Sequence, residues 1–130
     1  MKKIKRLEDI ECWQLARDLA KEVWLELKRG TLAKNYALKD QMDRSSGSIM
    51  DNIAEGYGRG GNREFVNFLS IARGSSEELK SQICRCVDRE HLTKERGGEL
   101  YKKTITVCVK ITNFMTSLNG SKYKGQKFNR

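Results

Sequence analysis

Ser45-Ser46-Gly47-Ser48-Ile49-Met50-Asp51-Asn52-Ile53-Ala54-Glu55-Gly56-Tyr57-Gly58-Arg59 is the stretch on which the fold turns. Carried back to Leu38 and Met42, it places Leu38, Met42, Ser45, Ile49, Asn52 and Gly56 at alternating steps of three and four, the stripe of one helix face. The stripe is oddly polar. Ser45, Asn52 and Gly56 stand where apolar side chains would pack better, with Ser48 beside them. Small residues let a second helix approach closely, and serine hydroxyls can bond back to their own backbone. A buried Asn52 amide needs partners, because an unpaired one costs roughly 1–3 kcal/mol. A polar network across helices, or across a subunit interface, would supply them and set register. We read Asn52 that way in preference to ligand binding, since no cofactor motif accompanies it.

Three further segments show the same period. Trp13, Ala16, Ala20, Val23 and Leu27 form the first, with Asp9 as its expected N-cap and Gly30 after its last turn. Phe65, Phe68, Ala72, Ser75, Leu79 and Cys86, with Leu69 and Ile83, form the third, and Asn62 is its expected N-cap. Leu100, Thr104, Val107, Ile111, Phe114 and Leu118 form the fourth, ended by Gly120. The β-branched run Thr104 to Thr112 is read as helix on this spacing. Expected connections are residues 30–36, Gly58 to Gly61, and a break from His91 to Gly98. Proline is absent, so nothing forces a helix to break, and short links make neighbours antiparallel. The expectation is an all-α, antiparallel up-down four-helix bundle over residues 1–120, followed by a basic, flexible tail at 121–130.

Hydrophobic residues make up 38% and charged ones 33%, which suits a thin bundle with much solvated surface. The net charge of +9 is uneven. Lys2, Lys3, Lys5 and Arg6 precede the first acid, and Lys122, Lys124, Lys127 and Arg130 close the chain without one. Between them, residues 8–120 hold 18 bases against 17 acids. Basic ends on a neutral body read as a handle for nucleic acid or another anion, or as solubilising termini. No apolar run approaches membrane-spanning length and no apolar signal region follows the basic start, so a cytoplasmic protein with reduced cysteines is expected.

Catalytic and cofactor motifs fail on context. Gly56 to Gly61 matches G-x-G-x-x-G, but a helix rather than a strand precedes it. What survives is the start of the third helix, whose free N–H groups favour anions, flanked by Arg59 and Arg63. Cys84 and Cys86 point to nearly opposite sides of a helix, Cys12 and Cys108 are isolated, and His91 is the only histidine, so no zinc set converges and no metal or cofactor is expected. Ser121 to Lys124 fits S-x-x-K without a supporting motif, and Glu77, Glu78 and Asp88 read as surface acids paired with Lys80 or Arg85. We find no acid–base–nucleophile set and expect no enzymatic activity.

Ser48-Ile49-Met50-Asp51-Asn52-Ile53-Ala54-Glu55-Gly56-Tyr57-Gly58-Arg59 resembles the S-I-x-x-N-I-A-E-G-x-G-R signature of a bacterial four-helix-bundle family. That family includes proteins encoded by intervening sequences in large-subunit ribosomal RNA genes, and the accessory variability determinant of diversity-generating retroelements is similar. Trp13-Gln14-Leu15-Ala16, Tyr36 to Gln41, Glu64 to Leu69 and Ile71 to Ser75 also match, so the resemblance runs from about residue 7 to 118. Gly47 and Met50 depart mildly from the pattern. The resemblance implies a homopentameric barrel of four-helix protomers without enzymatic activity, and marks Asn52, Glu55, Gly56, Gly58 and Arg59 as signature positions. It implies binding of a reverse transcriptase and of nucleic acid for retroelement members. Five copies would carry a charge of +45. The functional expectation is a homo-oligomer that binds RNA or DNA phosphates through Arg44, Arg59, Arg63, Arg73, Lys122, Lys124 and Lys127, with Ser48, Asn52, Glu55, Gly56 and Gly58 serving packing and assembly. The alternative is a protein-interaction adaptor such as a reverse-transcriptase accessory subunit.

Overall fold

The structure is a computed structural model and describes residues 3–120. Four helices follow one another: α1 (Glu11–Leu27), α2 (Tyr36–Arg59), α3 (Asn62–Asp88) and α4 (Lys94–Asn119). Short 3-10 turns precede α1 (Leu7–Asp9) and α2 (Leu32–Lys34). Each helix packs against its neighbours in chain order, and α4 closes the ring onto α1, giving the antiparallel four-helix bundle. The basic tail read at 121–130, with Lys122, Lys124 and Lys127, lies outside the described residues, as does Lys2.

The core is the apolar stripe of each helix. Leu19, Val23, Leu38, Met42, Ile49, Ile53, Leu69, Leu79, Ile83, Leu100 and Ile111 are buried, and Phe65 fills the end near the α2–α3 turn, edge-on to Phe114 and Tyr57. In the threonine-rich α4 the hydroxyls of Thr104, Thr106, Thr112 and Thr116 are satisfied within the helix, each donating to the carbonyl four residues back.

Several boundaries differ from expectation. Asp9 does not cap α1. Its carboxylate accepts the N–H groups of Lys5 and Arg6 at 3.0 and 3.2 Å, folding the N-terminal turn on itself, and Ile10 holds the cap position. Asn62 is the first residue of α3 rather than its cap, which is Gly61. Buried at that place, Asn62 donates its amide to the Leu118 carbonyl at 3.3 Å and ties the start of α3 to the end of α4. Gly58 is helical. The turn narrows to Gly60, at φ +84, and Gly61. The break expected at His91 to Gly98 is displaced, and Gly97 and Gly98 lie inside α4, where Thr93 caps the helix by accepting the Arg96 N–H. The physical reason is that α3 stops without a glycine. Glu90 takes the left-handed conformation at φ 61, and the His91 N–H bonds back to the Cys86 carbonyl at 2.8 Å, a Schellman closure. His91 therefore does more than face the helix end. Its ring nitrogens lie 2.7 Å from Thr31 Oγ1 and 3.1 Å from Asn35 Nδ2, joining the end of α3 to the α1–α2 connection. Asn35 meanwhile caps α2 through Leu38.

Candidate functional site

Helix α2 meets α3 along a seam built from the polar residues of its stripe. Gly56 makes the closest approach, and a Cβ added there would lie 2.7 Å from Phe65 Cδ1 and 2.9 Å from Phe68 Cβ. Toward the other end the helices part into an open groove of about 1090 Å³, lined by Ser45, Ser48, Asn52, Ser75, Gln82 and Arg85 among others. Ser45 Oγ lies 2.7 Å from both the Gln41 carbonyl and Gln82 Oε1, and Arg85 donates to Gln41 Oε1 at 2.6 Å. Ser48 and Ser75 hydroxyls meet at 2.9 Å.

Asn52 departs from the stripe. Ile53, one position on, continues the core from Ile49, because a step of four stays closer to the buried meridian of a wide interface than a step of three. Asn52 is half-buried at the groove wall, and its Nδ2 donates to the Ser48 carbonyl and hydroxyl, both at 2.9 Å. The cross-helix link is thus Asn52–Ser48–Ser75, with Asn52 satisfied on its own helix and the second serine making the crossing.

The signature positions separate into roles. Gly56 sets helix approach. Glu55 is exposed and pairs with Arg59 at 3.0 Å, one turn on, while the Arg59 guanidinium lies 5.1 Å from the Phe68 ring centroid. Gly58 faces open space. The arginines expected to bind phosphate are not one cluster. Arg44 sits on Asp40 at 3.0 Å, four turns from Arg59, and Arg73 donates to Thr112 on the α3–α4 side at 3.3 Å. Only Arg63, exposed at the start of α3, lies near Arg59 in the chain.

Topology brings other bases together. The N-terminal turn packs beside the last turns of α4, with Ile4, Ile10, Asn113, Phe114 and Ser117 lining one recess. The Asn62–Leu118 bond puts the α2–α3 turn at that same end. Lys3, Lys5, Arg6, Arg59, Arg63 and the covalent attachment point of the 121–130 segment at Gly120 therefore share one end of the bundle.

The sequence reading missed a second set of bases. Arg17, Lys28 and Lys39 lie on the α1–α2 side and Lys21 on the outer edge of α1, in the α1–α4 recess it lines with Asp18 and Glu22; among the described residues none of the four is within salt-bridge distance of a carboxylate. The spacing of Arg17, Lys21 and Lys28 at steps of four and seven carried the signal. The α1–α4 side is the opposite case. Arg96 bridges Glu22, Glu26 and Glu99, Lys103 bonds Glu22, and Lys110 pairs with Glu11. Burial pushes the Glu22 carboxyl up, but the hydrogen bonds and charges of Lys103 and Arg96 outweigh it and hold the group below its ordinary value.

The buried thiols are poorly suited to chemistry. Burial pushes Cys12 up to about 12 and Cys86 up to about 11, suppressing the reactive thiolate. Among the described residues no three metal-ligating side chains converge, and no helix is long and apolar enough to cross a membrane.

Comparison with known proteins agrees with this architecture. A crystal structure at 1.70 Å of a protein of unknown function, from the S23 ribosomal protein family of Bacteroides thetaiotaomicron, superposes with a TM-score of 0.73. It covers 80% of this chain and 97% of its own at 19% identity, which supports the fold alone. No curated protein matches the chain. The family model of the 23S rRNA-intervening sequence protein matches residues 8–113, most of the bundle including the whole α2–α3 seam, and the chain belongs to that family.

Proposed function

We propose that this protein is a non-enzymatic, homo-oligomeric nucleic-acid-binding protein that contacts RNA or DNA phosphates through basic surface and termini. The observation that carries the reading is the gathering of Lys3, Lys5, Arg63 and the root of a tail with four more bases at one end of the bundle, where Arg6 and Arg59 keep exposed guanidinium groups beside Asp9 and Glu55. A sugar–phosphate backbone neutralised there releases counterions, so affinity falls linearly in log–log terms with salt. A family named for ribosomal RNA intervening sequences is consistent with such a partner. In a homopentamer the basic ends would form a ring of ten termini. The test is binding to a structured RNA across a salt series, for the full chain and for a chain lacking residues 121–130 with Lys3, Lys5 and Arg6 neutralised. Salt-steep binding lost in the second protein supports the reading, and absence of binding at low salt overturns it.

One observation favours a second reading. The open α2–α3 groove is lined by small polar residues and nearly balanced charge, which suits a protein surface better than a phosphate backbone. A second copy of this chain, or a reverse transcriptase for which it acts as adaptor, would fit there. Pull-down with a polymerase encoded beside it separates the adaptor from the nucleic-acid reading.

A further inference from the structure

We propose that the outward face between α1 and α2 is a stacking site for unpaired bases of single-stranded nucleic acid. The inference rests on the nucleic-acid reading above and adds a second contact surface, with its own chemistry, away from the basic end.

Two stripes face each other across this side of the bundle. On α1, Trp13, Arg17, Trp24 and Lys28 follow at steps of four, seven and four. On α2, Tyr36, Lys39 and Asp43 follow at three and four. Trp24 is 43% exposed and Tyr36 76%, although both are large aromatics with much to gain from burial. They line one shallow recess of about 480 Å³ together with Ala37 and Lys39. Cations already sit at the rings. Lys28 Nζ is 5.8 Å from the Trp24 centroid, and Arg17 is held 5.6 Å from that of the buried Trp13.

The charge around the rings selects the partner. Arg17, Lys28 and Lys39 have no carboxylate within salt-bridge distance among the described residues, whereas Arg96, Lys103 and Lys110 on the α1–α4 side are neutralised. Of the two acids lining the recess, Asp40 is bonded to Arg44, which leaves Asp43 beside Lys39, with Lys28 held over the Trp24 ring. A ligand matching this face carries flat π surfaces and regularly spaced negative charge. Lys28 follows Trp24 by one helical turn, about 6 Å along α1, so it can meet the phosphate of a nucleotide whose base stacks on that ring. A duplex offers the phosphates but keeps its base faces closed. Stacking on aromatic side chains is tolerant of sequence, so little base preference is expected.

Trp24 also reports the event, being the exposed one of two tryptophans. Full-length protein is titrated with ten-nucleotide oligouridylate, oligoadenylate and oligodeoxythymidylate, with a matched duplex, and with inorganic polyphosphate. All three single strands should quench the exposed tryptophan, and polyphosphate should not; the RNA and DNA arms rank the two sugars. Trp24→Ala and Tyr36→Ala should each weaken single-strand binding about five- to hundredfold and leave duplex and polyphosphate binding within about twofold, while Trp24→Phe retains most of the affinity. Lys28→Glu with Lys39→Glu tests the same face without touching a ring and should weaken single-strand binding at least tenfold. If single strands bind the ring and charge variants as tightly as the parent, this face is overturned while phosphate binding at the basic end stands. If the parent binds no nucleic acid at low salt, both proposals fall.

Discussion

Gly56→Ala is expected to destabilise the protein, against the usual gain from removing a helical glycine. The new Cβ would lie 2.7 Å from Phe65 Cδ1, 2.9 Å from Phe68 Cβ and 3.3 Å from Phe65 Cα. The Phe65 ring is 1% exposed and held edge-on by Phe114 at 5.2 Å and Tyr57 at 6.3 Å, so it has nowhere to swing. Phe68 Cβ and Phe65 Cα move only with α3 itself. Relief therefore means parting the two helices. Overpacking of this kind costs about 1–3 kcal/mol, and two contacts below 3.0 Å argue for the upper half of that range. Replacing a helical glycine by alanine returns about 1 kcal/mol. The net loss is about 1–2 kcal/mol, or a melting temperature lower by roughly 3–8 °C for a domain of this size. Gly74→Ala is the matched control, since Gly74 is an exposed residue inside α3 with nothing within 4 Å of an added Cβ. It should raise stability by up to about 1 kcal/mol. Thermal and urea melts at one fixed protein concentration, which keeps the mass-action contribution of assembly comparable between variants, measure both. A Gly56→Ala protein as stable as the parent, beside a stabilised Gly74→Ala, would refute the close-approach argument.

Asn52→Leu keeps helix α2 but removes the amide that fastens Ser48; light scattering after gel filtration should show weakened assembly with salt-dependent nucleic-acid binding retained, and unchanged assembly would count against a role for the seam. Arg96→Ala strands the nearly buried Glu26, bonded to it at 2.7 Å, and should cost about 2 kcal/mol by urea melt. Glu22 has its carboxyl held below the ordinary value of 4.5, so its contribution is present above that pH and lost as pH falls through the lower folded value. Glu22→Gln should accordingly flatten the acid limb of a stability–pH curve below about pH 4.5, and an unchanged limb would exclude the pairing with Lys103 and Arg96 as its source. Removing residues 121–130 takes away four bases and should lower the slope of log affinity against log salt by up to about 3.

Much of the bundle was legible because helix period and missing proline are local properties. Spacing alone places Leu38, Met42, Ile49, Phe65, Leu100 and Ile111 in the core, where they are buried, and Thr104 to Thr112 is helix as its spacing predicts. The misreadings cluster at ends. Gly97 falls within the break expected from His91 to Gly98 and is instead a helical contact, buried where a Cβ would overlap Val87 of α3. The true stop used Glu90 in a conformation that glycine usually supplies, and no local rule anticipates that choice. Asn62 had the chemistry of a cap, but its partner is a carbonyl 56 residues away.

The candidate surfaces divide the same way. Sequence by itself determined the four amphipathic helices, the uneven charge and the family signature, because each is written in neighbours along the chain. It could count bases but not subtract the acids that fold against them. Arg44 and Arg59 pair with Asp40 and Glu55 and Arg73 bonds the Thr112 hydroxyl, while among the described residues Arg17, Lys21, Lys28 and Lys39 have no carboxylate within salt-bridge distance. Whether a charge is free, whether two ends meet, and whether Asn52 or Ile53 enters the core depend on helix packing and rotation, which bring together residues far apart in the chain. Those answers came from the assembled bundle, since pairing and burial are properties of distance in space.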